Sequence, residues 1–222
     1  MLTPLSALAS QQTKPTTETM KRVKQFLDYA ATQEPAVLTY RKSGMVLAIH
    51  SDASYLNEEN AQSRAGGHHF LSEDVPFPPN NGAVHNVAEI IKAAMSSAAE
   101  AELGSLYINV KKGVEERHIL TEMGHPQPPT PIQVDNSTAE AIVNNRVQPK
   151  RTKAMDMRFH WLRDRQTQKQ FRIYWRPGAQ NLGDYWTKHH PPSHHRNVRP
   201  EFLTPFKVLM DLRKTSKITR SA

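Results

Sequence analysis

The chain has 222 residues and carries 29 Lys and Arg against 21 Asp and Glu, a formal net charge of +8 at pH 7. This excess makes a polyanion the first partner to consider, although a basic domain without such a partner would have the same composition. The absence of cysteine excludes disulfides and thiolate metal sites. No apolar run approaches the roughly 20 residues of a membrane-spanning helix, so no membrane partner is expected.

The first forty residues predict a loop, a helix and a short strand. Residues 1–18 are rich in Ser, Thr, Gln and Pro and are expected to form a loop. Apolar residues at helical spacing predict a helix over residues 19–32, and Pro35 ends it. Residues 36–40 then predict a short strand.

Three strands are expected next. Residues 45–49 form a continuous apolar run that leads to Asp52, a pattern typical of a strand covered on both faces. Residues 64–67 predict a bend permitted by two glycines, followed by a second strand over 68–71. Residues 84–91 predict the third, and the spacing favours an antiparallel meander.

Helices and strands alternate in the remaining sequence. A long helix is expected from a cap at Ser96 or Ser97 to about Met123. A strand over 131–135, a helix over 138–144 capped by Asn136 or Ser137, a helix over 155–165 and a strand over 170–175 follow. A final helix, capped near Asn181, contains Asp184. This order predicts an α/β fold with a mixed five-stranded sheet and helices on both faces.

Two of the predicted strands lead directly to a carboxylate, Asp52 and Asp135. If these strands are parallel neighbours, both side chains lie at the same edge of the sheet, where ligand sites form. Two close like charges are unfavourable without a cation, and Mg²⁺ prefers oxygen ligands. Glu102, which borders the apolar stripe of the long helix, and Asp184 are the third and fourth candidates. Asp184 also fits a simple helix-capping carboxylate.

Six short strings resemble, in order, the RNase H segment of copia-type LTR retrotransposons. Together they lie within residues 45–188, and each alone is weakly specific. Upstream, TMKRVKQFLDYAAT and VLTY resemble the end of the preceding reverse transcriptase, while the Tyr-x-Asp-Asp polymerase motif is absent. The six strings are SDASY (Ser51–Tyr55), SRAGG (Ser63–Gly67), SSAAEAEL (Ser96–Leu103), VDNSTA (Val134–Ala139), RTKAMDMRFHWLRD (Arg151–Asp164) and NLGDYWTK (Asn181–Lys188).

The resemblance implies an RNase H-like fold with four catalytic, metal-binding carboxylates: Asp52, Glu102, Asp135 and Asp184. The implied cofactor is a pair of Mg²⁺ ions, for which Mn²⁺ can substitute, with Asp52 the best bridging ligand. The implied activity is endonucleolytic cleavage of the RNA strand of an RNA/DNA hybrid. Glu100 lies two positions away on another helix face and is not expected to take part. Integrases and transposases place their glutamate last, so the order of the carboxylates argues against them.

One departure concerns proton transfer. Retroviral and cellular RNases H often carry a mobile histidine shortly before the last aspartate, and residues 177–183 contain none. Copia-type elements generally lack it too, so its absence bears on proton transfer and product release rather than on activity.

Substrate contacts are expected from two groups of residues. Ser54, Asn136 and Ser137 are small polar neighbours of the aspartates and are candidates to contact the 2′-hydroxyl of RNA. The segment from Arg146 to Arg176 holds ten basic residues against two acidic ones, which favours a phosphate-binding face. The basic candidates are Arg151, Lys153 and Arg158. The alternative is a solvated helix with Arg163 paired locally.

The predicted organisation has three parts: a remnant of the end of a reverse transcriptase over residues 1–43, an RNase H-like domain over 44–190, and a basic tail with Pro and His over 191–222. The expected partners are an RNA/DNA hybrid and the polymerase domain of the same polyprotein. The location is expected to be intracellular, with a cytoplasmic particle and the nucleus both open. A catalytically silent nucleic-acid-binding module and a structural part of the polymerase remain alternatives.

Overall fold

A computed structural model describes residues 2–146 and 157–206 of the chain, together with residues 208 and 210. Two compact units are present, one over Lys42–Lys188 and the other over Met1–Arg41 with His189–Ala222. Within the described residues, no helix is both long enough and apolar enough to cross a membrane.

The helices and strands follow each other closely along the described chain. The helices are α1 (Leu2–Ser10), α2 (Thr17–Ala31), α3 (Ala98–Glu122), α4 (Ser137–Val143), α5 (Met157–Thr167) and α6 (Pro192–Phe202). The strands are β1 (Ala36–Val37), β2 (Val46–Ser54), β3 (Ser63–Ser72), β4 (Ala83–Ile91), β5 (Thr130–Val134), β6 (Phe171–Trp175) and β7 (Thr204–Pro205). Short 3₁₀ helices span Glu59–Ala61, Gly178–Gln180 and Leu182–Trp186.

The larger unit is built on a five-stranded sheet in the order β4-β3-β2-β5-β6. Strands β2, β3 and β4 are antiparallel neighbours, whereas β5 runs parallel to both β2 and β6. The sheet is therefore mixed, and the predicted α/β class with a five-stranded mixed sheet is confirmed. The parallel pairing matters most for the site, because it brings the carboxyl ends of β2 and β5 to the same edge.

One face of the sheet is covered by α3, α4 and α5, which enclose the main apolar core. Leu47 and Ile49 of β2 pack there against Leu106 and Val110 of α3. Ser97 caps α3, since its side chain accepts a hydrogen bond from the backbone of Glu100. The other face carries the 3₁₀ helix Leu182–Trp186, and the backbone N–H of Leu182 donates to His50 Nδ1 at 3.1 Å.

Two adjacent glycines of β3 let the 3₁₀ helix Leu182–Trp186 on one face and α3 on the other approach the sheet closely. A Cβ at Gly66 would lie 2.4 Å from Thr187 Cγ2 and 2.6 Å from the Gly183 carbonyl oxygen. A Cβ at Gly67 would lie 1.9 Å from Asn109 Oδ1 of α3, on the opposite face. The glycines therefore serve close packing within the strand. The bend predicted over residues 64–67 is wrong, because β3 runs continuously through them.

The smaller unit pairs the two ends of the chain. Strands β1 and β7 are antiparallel, with Ala36 opposite Pro205 and Val37 opposite Thr204. Helix α1 occupies part of the segment that was expected to be a loop, so that expectation is wrong. Residues 191–222 were expected to form a tail, yet their described part contains α6 and β7. Pairing between distant segments stabilises structure that local composition does not indicate.

The other predicted elements are present with shifted ends. The strands predicted over residues 45–49 and 68–71 are longer than expected, and β2 includes Asp52. The final helix predicted around Asp184 is a 3₁₀ helix capped by Asn181, whose side chain accepts from the Gly183 N–H.

Candidate functional site

Three acidic side chains from different elements meet at the end of β2. Asp52 lies near the carboxyl end of β2, and Asp135 directly follows β5, its parallel neighbour. Glu102 lies in the second turn of α3. One carboxylate oxygen from each of the three lies within 4.8 Å of the others. The three are thus arranged as ligands around one small volume.

Asp184 approaches this cluster from the 3₁₀ helix Leu182–Trp186. Asn181 anchors that helix, because its side-chain amide donates to the Ser51 carbonyl oxygen at 2.8 Å while its Oδ1 accepts from Gly183 N–H at 3.0 Å. The charge of Asp184 contributes to raising the pKa of both Asp52 and Asp135, after the larger effect of burial. Asp184 therefore lies beside the cluster rather than inside the group of three.

Asp52 is the most constrained of the four. Its side chain is almost fully buried, and burial raises its pKa to about 7. A hydrogen bond from Thr187 Oγ1 to Asp52 Oδ2, 2.6 Å long, opposes this rise, whereas the charges of Asp135 and Asp184 add to it. Without a cation, a large share of Asp52 is therefore protonated at neutral pH, whereas an ordinary aspartate is fully ionised there.

Glu102 has an unsatisfied oxygen. Its Oε1 accepts from the backbone N–H of Ala53 at 3.2 Å, while its Oε2 is buried and has no hydrogen-bond partner in the described structure. Burial, followed by the charges of Asp52 and Asp135, raises the pKa of Glu102 well above its usual value. A buried carboxylate oxygen without a donor, next to two more carboxylates, is the arrangement that a divalent cation satisfies.

Sequence reasoning missed two contributors, Thr187 and Lys188. Lys188 Nζ donates to Asp184 Oδ1. Burial alone would lower the pKa of Lys188, but its bond to Asp184 and the surrounding carboxylate charges together raise it. The spacing of Asp184 and Lys188, four residues apart, is the signal that predicts an ion pair on one side of a helix. Nothing in the sequence indicated that Thr187 reaches Asp52.

The polar residues proposed to contact the substrate differ in their surroundings. Ser54 is buried, and its hydroxyl has no hydrogen-bond partner within the described residues. Asn136 caps α4 by accepting from Ala139 N–H at 3.0 Å, and Ser137, the first residue of that helix, is exposed. Arg158 is half-buried in α5. Arg151 and Lys153 lie outside the described residues.

Several arginines of the basic segment form contacts within the chain. Arg163 donates to the Ile142 carbonyl oxygen through Nε at 3.1 Å and Nη2 at 2.9 Å. Arg172 donates to the carbonyl oxygens of Val75 and Pro76. Arg146 pairs with Glu140. The local pairing considered for Arg163 is therefore present, and the charge of this segment is only partly available to a polyanion.

Glu100 is separate from the carboxylate cluster, although it lies only two residues before Glu102. Its Oε2 accepts from both the backbone N–H and the hydroxyl of Ser96 at the start of α3. Glu100 thus holds the end of the helix while Glu102 faces the sheet, which makes the pair a matched comparison for experiments.

No known family model matches the chain, and no curated relative does. Among solved structures, LC11-RNase H1, isolated from compost by a metagenomic approach, is 11% identical over 64% of this chain and 93% of its own, with a TM-score of 0.48. The N-terminal RNase H domain of a Mycobacterium tuberculosis protein is 15% identical over 64% of this chain and 91% of its own, with a TM-score of 0.45.

A foamy viral protease-reverse transcriptase, solved with double-stranded DNA, is 15% identical over 64% of this chain and 92% of its own, with a TM-score of 0.43. RNase H domains and a retroviral-type reverse transcriptase are thus among the structural neighbours. Likenesses of this size decide nothing about activity, so the functional argument rests on the carboxylate cluster.

Proposed function

We propose that the chain is a metal-dependent ribonuclease H, which cleaves the RNA strand of an RNA/DNA hybrid. The observation that carries the proposal is the cluster of Asp52, Glu102 and Asp135, with the buried Glu102 Oε2 left without a donor. A stable protein rarely leaves such an oxygen unsatisfied. The sheet order, which places two carboxylate-bearing strand ends side by side, supports the same reading.

The cluster suits Mg²⁺, with Mn²⁺ as a substitute, because all its ligands are hard oxygen atoms. Asp52, Glu102, Asp135 and Asp184 would hold two ions. Bound there, the metal pair would lower the pKa of an attacking water and stabilise the departing oxygen of the phosphodiester.

The chain's own residues prepare the site in three ways. Thr187 fixes the orientation of the Asp52 carboxylate through its 2.6 Å hydrogen bond. Asn181 fixes the backbone before Asp184. Lys188 holds the Asp184 side chain and balances part of the negative charge. For recognition of the RNA 2′-hydroxyl we propose Ser54, Asn136 and Ser137, and for phosphate contacts Arg151, Lys153 and Arg158.

The biological setting belongs to the same proposal. The six ordered strings favour a copia-type retroelement, with residues 1–43 as the end of its reverse transcriptase, residues 44–190 as the nuclease, and residues 191–222 as an extension. The partners would be the RNA/DNA hybrid and the polymerase domain of the same polyprotein. The enzyme would act inside the cell, in a cytoplasmic particle or in the nucleus.

The test is cleavage of end-labelled RNA/DNA hybrid by the full chain in Mg²⁺, Mn²⁺ or EDTA, beside single-stranded RNA and duplex DNA. We expect metal-dependent cutting of the hybrid's RNA strand alone, lost in Asp52→Asn and Asp135→Asn while hybrid binding persists. Binding of hybrid by the folded chain without cutting would favour a nucleic-acid-binding module. Activity only after joining to a polymerase domain would favour a subordinate part of that enzyme.

A further inference from the structure

A second group of metal-ligand side chains lies away from the carboxylate cluster, on the α3 side of the sheet. It consists of His69 from β3, His85 from β4 and Glu116 from α3. His69 Nδ1 lies 2.6 Å from Glu116 Oε2, and His85 Nδ1 lies 2.8 Å from Glu116 Oε1. Three elements thus direct one ligand atom each toward a common point.

The sheet register explains why the two histidines meet. His69 and His85 are directly opposite each other in the antiparallel β3–β4 pair, so their side chains share a face. A register irregularity follows at His69 and Phe70, and such bulges redirect side chains near sites. His68 points to the other face, where its ring nitrogens lie 3.0 Å from Asn86 Oδ1 and 2.9 Å from Asn80 Oδ1.

The tautomer of His69 is fixed by Asn109. The Asn109 side-chain amide nitrogen contacts the carbonyl oxygens of Gly66 and Ser105, each at 3.0 Å, and these oxygens can only accept. Asn109 Oδ1 must therefore be the atom that faces His69 Nε2, at 2.9 Å. His69 Nε2 donates that bond, which directs Nδ1 to Glu116.

This arrangement is the one that metal-binding histidines use, in which one ring nitrogen donates to a fixed acceptor while the other faces the ion. We propose that His69 Nδ1, His85 Nδ1 and a Glu116 carboxylate oxygen form a binding site for a divalent transition metal ion of the Zn²⁺ type. Two imidazole nitrogens and one carboxylate are a donor set that Zn²⁺ takes in proteins, with water in the fourth position.

The dimensions and exposure of the group suit this ion. The three ligand atoms lie within 4.8 Å of one another, and tetrahedral zinc with bonds of about 2.0–2.1 Å requires ligand atoms about 3.3 Å apart. The His69 side chain is 0% exposed and that of Glu116 17%, whereas that of His85 is 38% exposed. The site is therefore anchored from inside and open to solvent at His85, where the fourth ligand would enter.

The bound ion would tie the edge strand β4 to α3. His69 already carries a proton on Nε2, so the proton between its Nδ1 and Glu116 leaves to solvent when the ion binds. At His85, the proton between Nδ1 and Glu116 leaves to solvent or moves to Nε2. This site is separate in sequence and chemistry from the carboxylate cluster, because it has nitrogen ligands and prefers a softer ion than Mg²⁺. It does not depend on the proposed nuclease activity.

The test is a titration of the full chain with Zn²⁺, under excess Mg²⁺ so that the carboxylate cluster does not compete, followed by ¹⁵N NMR of the histidine rings. We expect one equivalent to shift the Nδ1 resonances of His69 and His85, and the affinity of that equivalent to fall at least tenfold in His85→Ala and in Glu116→Gln. His118→Ala, a change at an exposed histidine of the same helix, should leave both unchanged.

His85 lies half-exposed on an edge strand, so its alanine variant should fold, which a circular dichroism melt will check. Unchanged Nδ1 resonances of His69 and His85 in the presence of Zn²⁺ would overturn the proposal. Equal zinc affinity in the wild type, His85→Ala and Glu116→Gln would overturn it too, and would leave the three side chains as a hydrogen-bonded group only.

Discussion

Thr187 and Asp52, which lie 135 residues apart in the chain, share a buried hydrogen bond 2.6 Å long from the threonine hydroxyl to the carboxylate. Thr187 is completely buried and Asp52 is 2% exposed, so water does not replace this donor readily. The bond is the main influence that lowers the pKa of Asp52 against the effect of burial. It links the 3₁₀ helix that carries Asp184 to the strand that carries Asp52.

Thr187→Val should therefore weaken metal binding in a pH-dependent way. Valine keeps the shape and removes the donor, so the pKa of Asp52 should rise above its present value of about 7 and protons should compete more strongly with the metal. Hydrogen bonds to charged groups contribute about 1.5–3 kcal/mol, which corresponds to roughly tenfold or more in Mn²⁺ affinity at pH 7. Calorimetric titration at pH 7 and pH 9 measures this.

Thr187→Ser is the matched control, because it retains the hydroxyl. It should bind Mn²⁺ nearly as the wild type does at both pH values. If Thr187→Val also binds Mn²⁺ as tightly as the wild type at pH 7, the hydroxyl does not tune Asp52.

The stability of the metal-free protein should depend on pH because Asp52 titrates differently in the folded and unfolded states. Its pKa is about 7 in the folded chain against 3.8 in the unfolded one, so the folded state holds this proton more tightly. This contribution is fully present below pH 3.8 and is lost as the pH rises through about 7. In EDTA, the free energy of unfolding of the wild type relative to Asp52→Asn should fall by on the order of 4 kcal/mol across this window.

The comparison with Asp52→Asn matters because other buried groups titrate as well. Burial, with smaller effects from the charges of His68 and Arg176, lowers the pKa of His50 to about 3. The contribution of His50 to the stability of the folded state is therefore lost as the pH falls, whereas that of Asp52 is lost as the pH rises. Denaturant unfolding at several pH values, in EDTA and in Mg²⁺, gives the difference directly. A difference that is flat with pH in EDTA would contradict the raised pKa of Asp52.

Gly66→Ala should impair the site more than the fold. The added Cβ would lie 2.6 Å from the backbone oxygen of Gly183 and 2.4 Å from Thr187 Cγ2, so the 3₁₀ helix carrying Asp184 must move off β3. We expect hybrid cleavage to fall at least tenfold, while the main core on the α3 side remains packed. Cleavage rate and melting temperature measured together separate the two effects.

Gly104→Ala is the control on the helical side. Its Cβ would meet only side-chain atoms, at 3.4–3.5 Å, which is ordinary contact, and alanine is about 1 kcal/mol more favourable than glycine within a helix. This variant should keep full activity with equal or higher stability. Equal activity in Gly66→Ala and the wild type would show that the position of the 3₁₀ helix is unimportant.

The sequence predicts those parts of the fold that depend on local pattern. Asp52 and Asp135 could be identified because each follows an apolar run, and helix periodicity separated Glu102 from Glu100. Partners brought together by register or by distant pairing were not predicted: the meeting of His69 with His85, the bond from Thr187 to Asp52, and the pairing of β1 with β7. Each depends on the register between two strands or on contact between segments far apart in the sequence. The spacing of residues along the chain encodes neither.

The substitution pair Glu102→Gln and Glu100→Gln tests the central proposal most directly. The two residues lie on one turn of α3, but only Glu102 joins the carboxylate cluster, whereas Glu100 binds Ser96. The measurement is the Mg²⁺-dependent cleavage rate of the RNA strand in an RNA/DNA hybrid, with folding checked by circular dichroism. We expect at least a hundredfold loss in Glu102→Gln and wild-type activity in Glu100→Gln. Equal activity in the two variants, or metal-dependent cutting undiminished by Glu102→Gln, would contradict the proposed site.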